Sequence, residues 1–202
     1  MDDIVKQAMA KWSNVPQCYG WLALDARGAW RMRDERAQAL QLPGDKITHS
    51  ALLGFINRNY THDENGSWYF QNGPQRVYVD LEATPYIART DPMHGFMLHT
   101  QEPLRTIDAV WLTDTGQLLL QDEEKIAQID DRDAVQCFNA IRMNGRPAED
   151  EQLLSWTSNP RMETGAHFMH QKRLIPLKLI ACSDIPLRFG FVPRPRAQDA
   201  QA

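Results

Sequence analysis

The sequence predicts a strand-rich α+β protein, in which antiparallel hairpins pack with a few short helices. Three observations carry this. Pairs of short β-prone runs recur around Gly-containing turns, the pattern of a hairpin. Residues 75–82 alternate strictly between apolar and polar, as a strand with two different faces must. Helical spacing of apolar residues appears only in short segments.

From the amino end, Ile4–Trp12 reads as a short amphipathic helix with Asp2 and Asp3 at its start, where carboxylates suit the helix dipole. Pro16 and Gly20 make a loop. Gly20–Asp25 and Ala29–Arg33 then read as a hairpin around Ala26-Arg27-Gly28, with Leu22 and Leu24 on one face and Trp30 and Met32 sharing a face of the partner. Pro43-Gly44 breaks the chain, and a helix follows over about 48–60, because Leu52, Phe55, Ile56 and Tyr60 recur at helical spacing. Thr48 or Asp45 is its candidate cap. Asn72-Gly73 between two β-rich runs signals a second hairpin. Val77, Val79 and Leu81 face one way and Arg76, Tyr78, Asp80 and Glu82 the other, which predicts a half-buried antiparallel strand.

Pro92, Gly95 and Pro103 make 89–105 the candidate boundary between an N-terminal subdomain, 1–95, and a C-terminal one, 96–192. Beyond it, 107–112 and 117–120 form a hairpin around Asp114-Thr115-Gly116, and 124–129 reads as a further strand. Residues 131–141 read as a helix with Val135, Phe138 and Ile141 on one side, and 149–156 as a short helix. Residues 167–169, 174–181 and 187–191 read as late strands, and 193–202 as a disordered tail. A faint internal echo pairs Trp21-Leu22 with Trp111-Leu112, each opening a hairpin; duplication and chance hairpin grammar both account for it.

Composition excludes some classes of function. Of 202 residues, 43% are hydrophobic, enough for a core, and the net charge of -4 argues against a non-specific nucleic-acid binder. No apolar run approaches the roughly 18 residues a membrane helix needs, and the first residues lack the pattern of a signal peptide, so a cytoplasmic location without membrane attachment is expected. The three cysteines, Cys18, Cys137 and Cys182, are widely separated and form no CxxC, so neither a zinc ribbon nor a disulfide framework is expected. The phosphate-loop, dinucleotide-fold, serine-elbow and HExxH signatures are absent. His167 and His170 would converge on a metal only on a helix, and their context is β-like. Asp130, Asp131 and Asp133 read as either a divalent-cation site or a capped helix start, the simpler reading being the cap. No metal site and no particular cofactor is predicted.

One stretch differs from an ordinary surface. Residues 57–89 concentrate amides, guanidiniums and aromatics and contain no Lys. Arg in place of Lys suggests bidentate or stacked geometry, because the guanidinium is a rigid planar fork. Arg58, Asn59, Trp68, Asn72, Gln75, Arg76, Tyr78 and Arg89 are the candidate ligand-binding residues, for a small polar or anionic ligand. A buried polar network between helix and sheet explains the same residues.

Trp12-Ser-Asn-Val-Pro16, Cys18-Tyr-Gly-Trp-Leu22, Asn57-Arg-Asn-Tyr-Thr-His62, the run from Trp68 to Val79, and Thr84-Pro-Tyr-Ile-Ala-Arg89 resemble an uncharacterised proteobacterial family of unknown function, over most of the chain. Gly28-Ala-Trp30, Ile47, Phe55, Gly66-Ser-Trp68 and the run from Val77 to Tyr86 are also similar to a second bacterial family of unknown function. That looser resemblance implies an α+β fold with two similar halves and a role in ligand sensing or signalling. Neither resemblance brings a catalytic residue.

Three functions fit these residues. The first is a non-enzymatic ligand-binding or regulatory protein. The second is an enzyme using Glu82 or Asp80 as acid/base, tuned by a neighbouring Arg. The third is a homo-oligomeric interaction module.

Overall fold

The computed structural model describes residues 1–12, 15–158 and 165–197. The chain forms two compact units. One comprises Met1–Pro85, His99–Gln101 and Phe189–Ala202; the other comprises Tyr86–Leu98 and Glu102–Arg188. The division falls earlier than the Pro- and Gly-rich 89–105 segment suggests. That segment instead carries a hairpin of the second unit, β7 (Tyr86–Asp91) and β8 (Gly95–Leu98), and Gly95 supplies the positive φ of its turn.

The first unit contains α1 (Asp3–Lys11), β1 (Cys18–Leu24), β2 (Trp30–Met32), α2 (Glu35–Ala39), β3 (Asp45–Lys46), α3 (Ser50–Arg58), β4 (Tyr60–His62), β5 (Trp68–Asn72) and β6 (Gln75–Leu81). Its six strands are ordered β3-β2-β1-β6-β5-β4. β1 and β6 are the central pair and run parallel, with Leu22 opposite Val79 and Leu24 opposite Leu81. β6 is thus flanked on both sides, and Tyr78, Val79, Asp80 and Leu81 are all buried. The alternation of β6 correctly separates two faces, but the polar face is partly covered, with Tyr78 and Asp80 buried, Arg76 half-buried and Glu82 exposed. Leu22, Leu24, Trp30, Val79 and Leu81 form the apolar face, on which α3 lies: Phe55 meets the Phe70 ring edge-on at 5.3 Å, and the Trp30 indole N–H donates to Asn57 at 2.8 Å. The β5–β6 turn is Gly73-Pro74 rather than Asn72-Gly73, since Asn72 pairs with Gln75. Gly73 has φ +56°, and proline fixes a negative φ after it, the type II′ pattern.

The second unit contains β7, β8, β9 (Ala109–Thr113), β10 (Leu118–Gln121), β11 (Ile126–Ile129), α4 (Ala134–Phe138), β12 (Ile141–Met143), β13 (Arg146–Pro147), α5 (Asp150–Ser158), β14 (Ala166–His170), β15 (Arg173–Ile180) and most of α6 (Ile185–Phe189). Its sheet is ordered β13-β12-β14-β15-β9-β10-β11-β7-β8. Its core gathers Leu98, Val110, Leu112, Leu118, Leu120, Phe168 and Leu177, among others.

Within this sheet the six strands β11-β10-β9-β15-β14-β12 repeat the order of β3-β2-β1-β6-β5-β4, with the same parallel or antiparallel sense at every step. The registers coincide as well. Leu24 faces Trp30 and Leu81 as Leu112 faces Leu118 and Leu179; Phe70 faces Tyr60 and Val77 as Phe168 faces Ile141 and Ile175. Even the first hairpin turn is reproduced. Gly28 and Gly116 both have positive φ, and the Asp25 and Thr113 side chains accept the Ala29 and Gln117 amides at 2.7 and 2.8 Å. The fold is therefore α+β with a repeated six-strand unit. The Trp21/Trp111 echo lies two residues out of this register: Trp111 corresponds to Ala23, and Trp21 to Ala109.

Other differences from the sequence reading have local causes. Residues 131–141 hold only a short 3₁₀ turn and α4; Val135 is exposed, and Ile141 belongs to β12. Residues 187–191 are not a strand, because α6 occupies 185–189. α2 is too short for its periodicity to register, and it is fixed by its cap, the Asp34 carboxylate accepting the Ala37 amide at 2.7 Å. The segment from 193, expected to be loose, is tied down as far as Arg196: the preceding Val192 bridges Ser67, the Leu81 amide donates to the Pro193 carbonyl at 2.7 Å, and Arg196 pairs with Asp80. The remainder of that segment, 198–202, lies outside the described residues.

Candidate functional site

The polar face of the first unit's sheet carries an open cleft of about 340 Å³, within the ~300–1,000 Å³ typical of small-molecule sites. Strand pairing builds its floor. Ala23 of β1 lies between Arg31 of β2 and Asp80 of β6, so all three side chains leave the sheet on the same face. One wall is α2 and the loop after it, through Gln38, Leu42 and Pro43; another is the C-terminal segment, through Arg194 and Arg196.

Four guanidiniums and three carboxylates meet here. Asp80, only 6% exposed, bridges Arg33 at 2.6 Å and Arg196 at 2.9 Å. Asp25 accepts the Arg27 and Ala29 amides and pairs with Arg31 at 2.8 Å. Glu82 accepts the Ala26 amide at 3.0 Å. Arg33 also donates to the Leu42 carbonyl, which fixes its fork against the α2 loop. Arg194 is exposed, and its side chain makes no ion pair or hydrogen bond among the described residues. The cleft therefore holds one positive charge in excess, on guanidiniums already positioned by fixed carboxylates. Such a surface receives a carboxylate or phosphate through bidentate, charge-assisted hydrogen bonds.

The eight residues singled out from the sequence fall elsewhere. Arg58 pairs with Asp2 at 3.2 Å, and Asn59, fully buried, accepts the Asp2 amide at 2.8 Å and donates to the Phe55 carbonyl; together they fasten α1 to the end of α3. Trp68 is buried against Tyr60 and His62. Asn72 is exposed at the hairpin end, and Gln75 donates to the Pro16 carbonyl. Arg76 and Tyr78 do come together: Arg76 lies 4.7 Å over the Tyr69 ring, and Tyr78 stacks on Tyr19 at 4.6 Å and donates to Asp63 at 3.0 Å. Burial pushes the Tyr78 hydroxyl up to about 12, with the Asp63 carboxylate adding to the effect against the opposing Arg76 contact. Arg89 lies in the second unit, where it approaches Asp130 at 3.6 Å. Asp80 and Glu82, the acid/base pair considered from the sequence, do line the cleft.

Two of the four cleft cations that sequence reasoning missed had a usable signal. Arg31-Met-Arg33 lies in a strand context, where residues two apart share a face. Arg194 and Arg196 had none, because only tertiary pairing to β6 brings them to the sheet.

In the second unit, the acidic cluster is used internally. Asp130 accepts the Arg132 amide and pairs with the Arg132 guanidinium, and Asp133 accepts the Thr90 amide at 2.8 Å. Burial would raise the Asp130 carboxyl, but the Arg132 hydrogen bonds outweigh it and hold it at about 2. Among the described residues no group of three or more His, Cys, Asp or Glu side chains is arranged to hold a metal ion. No helix among them is long and apolar enough to cross a membrane.

No curated protein matches this sequence. A crystal structure of a DUF1285 family protein from Silicibacter pomeroyi DSS-3 is similar, with a TM-score of 0.49, 10% identity and 88% of each chain covered. The profile of DUF2944, described as "Protein of unknown function (DUF2946)", matches residues 1–196, and the chain belongs to that family.

Proposed function

We propose that this is a non-enzymatic binding protein, with a regulatory or sensing role, that takes a small anionic ligand in the cleft of its first unit. The observation that carries the reading is the set of four guanidiniums converging on one cleft, with Asp25 and Asp80 aligning three of them and Arg194 left available. Two of the three cleft carboxylates favour binding over catalysis: Asp80 is held by two arginines, and Asp25 by two backbone amides and Arg31, so each is engaged in positioning a guanidinium. Glu82, which accepts only the Ala26 amide, is the carboxylate on which an acid/base reading would rest.

The test is a thermal-shift series with inorganic phosphate, sulfate and small carboxylates, run on the parent chain and on Arg31→Ala and Arg194→Ala. A ligand at 100 times its Kd stabilises the fold by about 2.7 kcal/mol, which for a chain of this size moves Tm by several degrees. The expected result is an anion-dependent rise that both variants reduce. A rise that persists in both variants, or no rise with any anion, rejects the cleft as the site.

A further inference from the structure

The repeated unit carries information about what the cleft accepts. Because the registers coincide, Ala23 corresponds to Trp111, Asp80 to Lys178, Arg31 to Leu119 and Arg33 to Gln121. In the second unit this position is filled. The Trp111 indole is 6% exposed, its N–H donates to Gln121 at 2.8 Å, and Lys178 and Arg188 lie 5.1 and 4.9 Å from its ring centre. The same sheet position in the first unit bears only a methyl group, and the cleft opens above it. Cations surround both positions, from Lys178 and Arg188 in one unit and from Arg31 and Arg33 in the other. Leu42 and Pro43 add an apolar wall suited to a ring face.

We infer that the ligand of the cleft is a flat aromatic ring bearing an anionic group. This rests on the anion-binding reading and narrows it. The ring lies over Ala23, in the volume the indole occupies in the second unit, against guanidiniums that attract its π face. The carboxylate or phosphate that the ligand carries is met by Arg194, whose fork is otherwise unengaged among the described residues. The ligand thus supplies in one unit the aromatic group that the chain itself supplies in the other.

Titration calorimetry on the full chain tests this with paired probes. Indole-3-carboxylate is compared with cyclohexanecarboxylate, adenosine monophosphate with ribose 5-phosphate, and inorganic phosphate measures the anion alone. The expected result is that at least one aromatic anion binds about five- to thirty-fold more tightly than its partner lacking the flat ring, the range that a cation–π contact supplies. The carboxylate pair and the phosphate pair show which anionic group is used. Ala23→Trp, which places an indole where the repeat already accommodates one, is expected to fold and to lose the aromatic ligand. Equal affinity within both pairs overturns the inference while phosphate binding leaves the anion cleft standing. Absence of binding by every probe, phosphate included, removes the cleft itself. Undiminished aromatic binding by folded Ala23→Trp also overturns the inference; should that variant not fold, the paired probes on the parent chain decide.

Discussion

His99 gives the first unit a pH dependence that can be worked out in advance. Its ring packs edge-on against Trp30 at 5.3 Å and Tyr60 at 5.8 Å, and burial lowers its pKa from 6.5 to about 3. In the unfolded chain the imidazole binds a proton near its ordinary value; in the folded chain it does not. Between these two values the unfolded state holds more protons, so stability must fall as pH falls through 6.5 toward 3. At pH 5 the unfolded state is favoured by RT ln(1 + 10^1.5), or about 2 kcal/mol, against about 0.2 kcal/mol at pH 7. Any folded value below about 4 gives nearly the same result at pH 5, so the figure does not hinge on the depth of the shift. The carboxylates with lowered values, Asp2, Asp91, Asp114 and Asp130, lose their contributions only in more acidic solution, which leaves the interval from pH 7 to 5 to histidine. His170 is also lowered, by burial and by Arg173 beside it, and acts in the same direction. The assay is urea unfolding followed by tryptophan fluorescence at pH 7, 6 and 5, on the parent and on His99→Phe, which keeps a ring and removes the titration. The parent should lose about 2 kcal/mol more than the variant between pH 7 and 5. Parallel losses in the two proteins would refute the argument.

Three further outcomes follow from the packing. Asp80→Ala leaves the Arg33 guanidinium without a counter-charge in a largely buried site and removes the Arg196 contact, and should destabilise the fold by about 3 kcal/mol in chemical denaturation. Gly66→Ala should be destabilising by roughly 2 kcal/mol, because Gly66 has φ +78° and an added Cβ would press on the Gly190 carbonyl oxygen. It should also speed hydrogen exchange at the Leu81 amide, which the 189–197 segment protects. Phe168→Ala empties a core position 2% exposed and should cost about 3–5 kcal/mol, read as a shift in denaturation midpoint.

Much of the fold was legible because local rules agree with tertiary packing there. The Gly28, Gly73 and Gly116 turns, the β6 alternation and the α3 stripe each bury the face that their pattern indicates. The failures have physical reasons. β6 alternates like a half-exposed strand, yet the residues that cover its polar face come from α2 and from 193–196, far away in sequence. Five-residue helices such as α2 and α4 are too short to show a period; a cap at Asp34 fixes α2, and α4 is held by burial of Cys137. The repeat was nearly invisible because register, not residue identity, is what the two units share: Ala23 and Trp111 occupy one position. The polar stretch at 57–89 fits either a ligand site or a buried polar network from its residue types alone, and several of its members, Arg58, Asn59 and Gln75, tie α1, α3 and the hairpin end in place. Asp80 and Glu82, at its far end, reach the cleft.

Anion binding in the first-unit cleft is tested by following the arginine side-chain N–H signals by NMR as phosphate, then an aromatic carboxylate, is added. An anion site in the first-unit cleft predicts shifts at Arg31, Arg33, Arg194 and Arg196, with Arg58, Arg76 and Arg89 unmoved. Shifts at Arg58, Arg76 or Arg89 with the cleft arginines silent would contradict it.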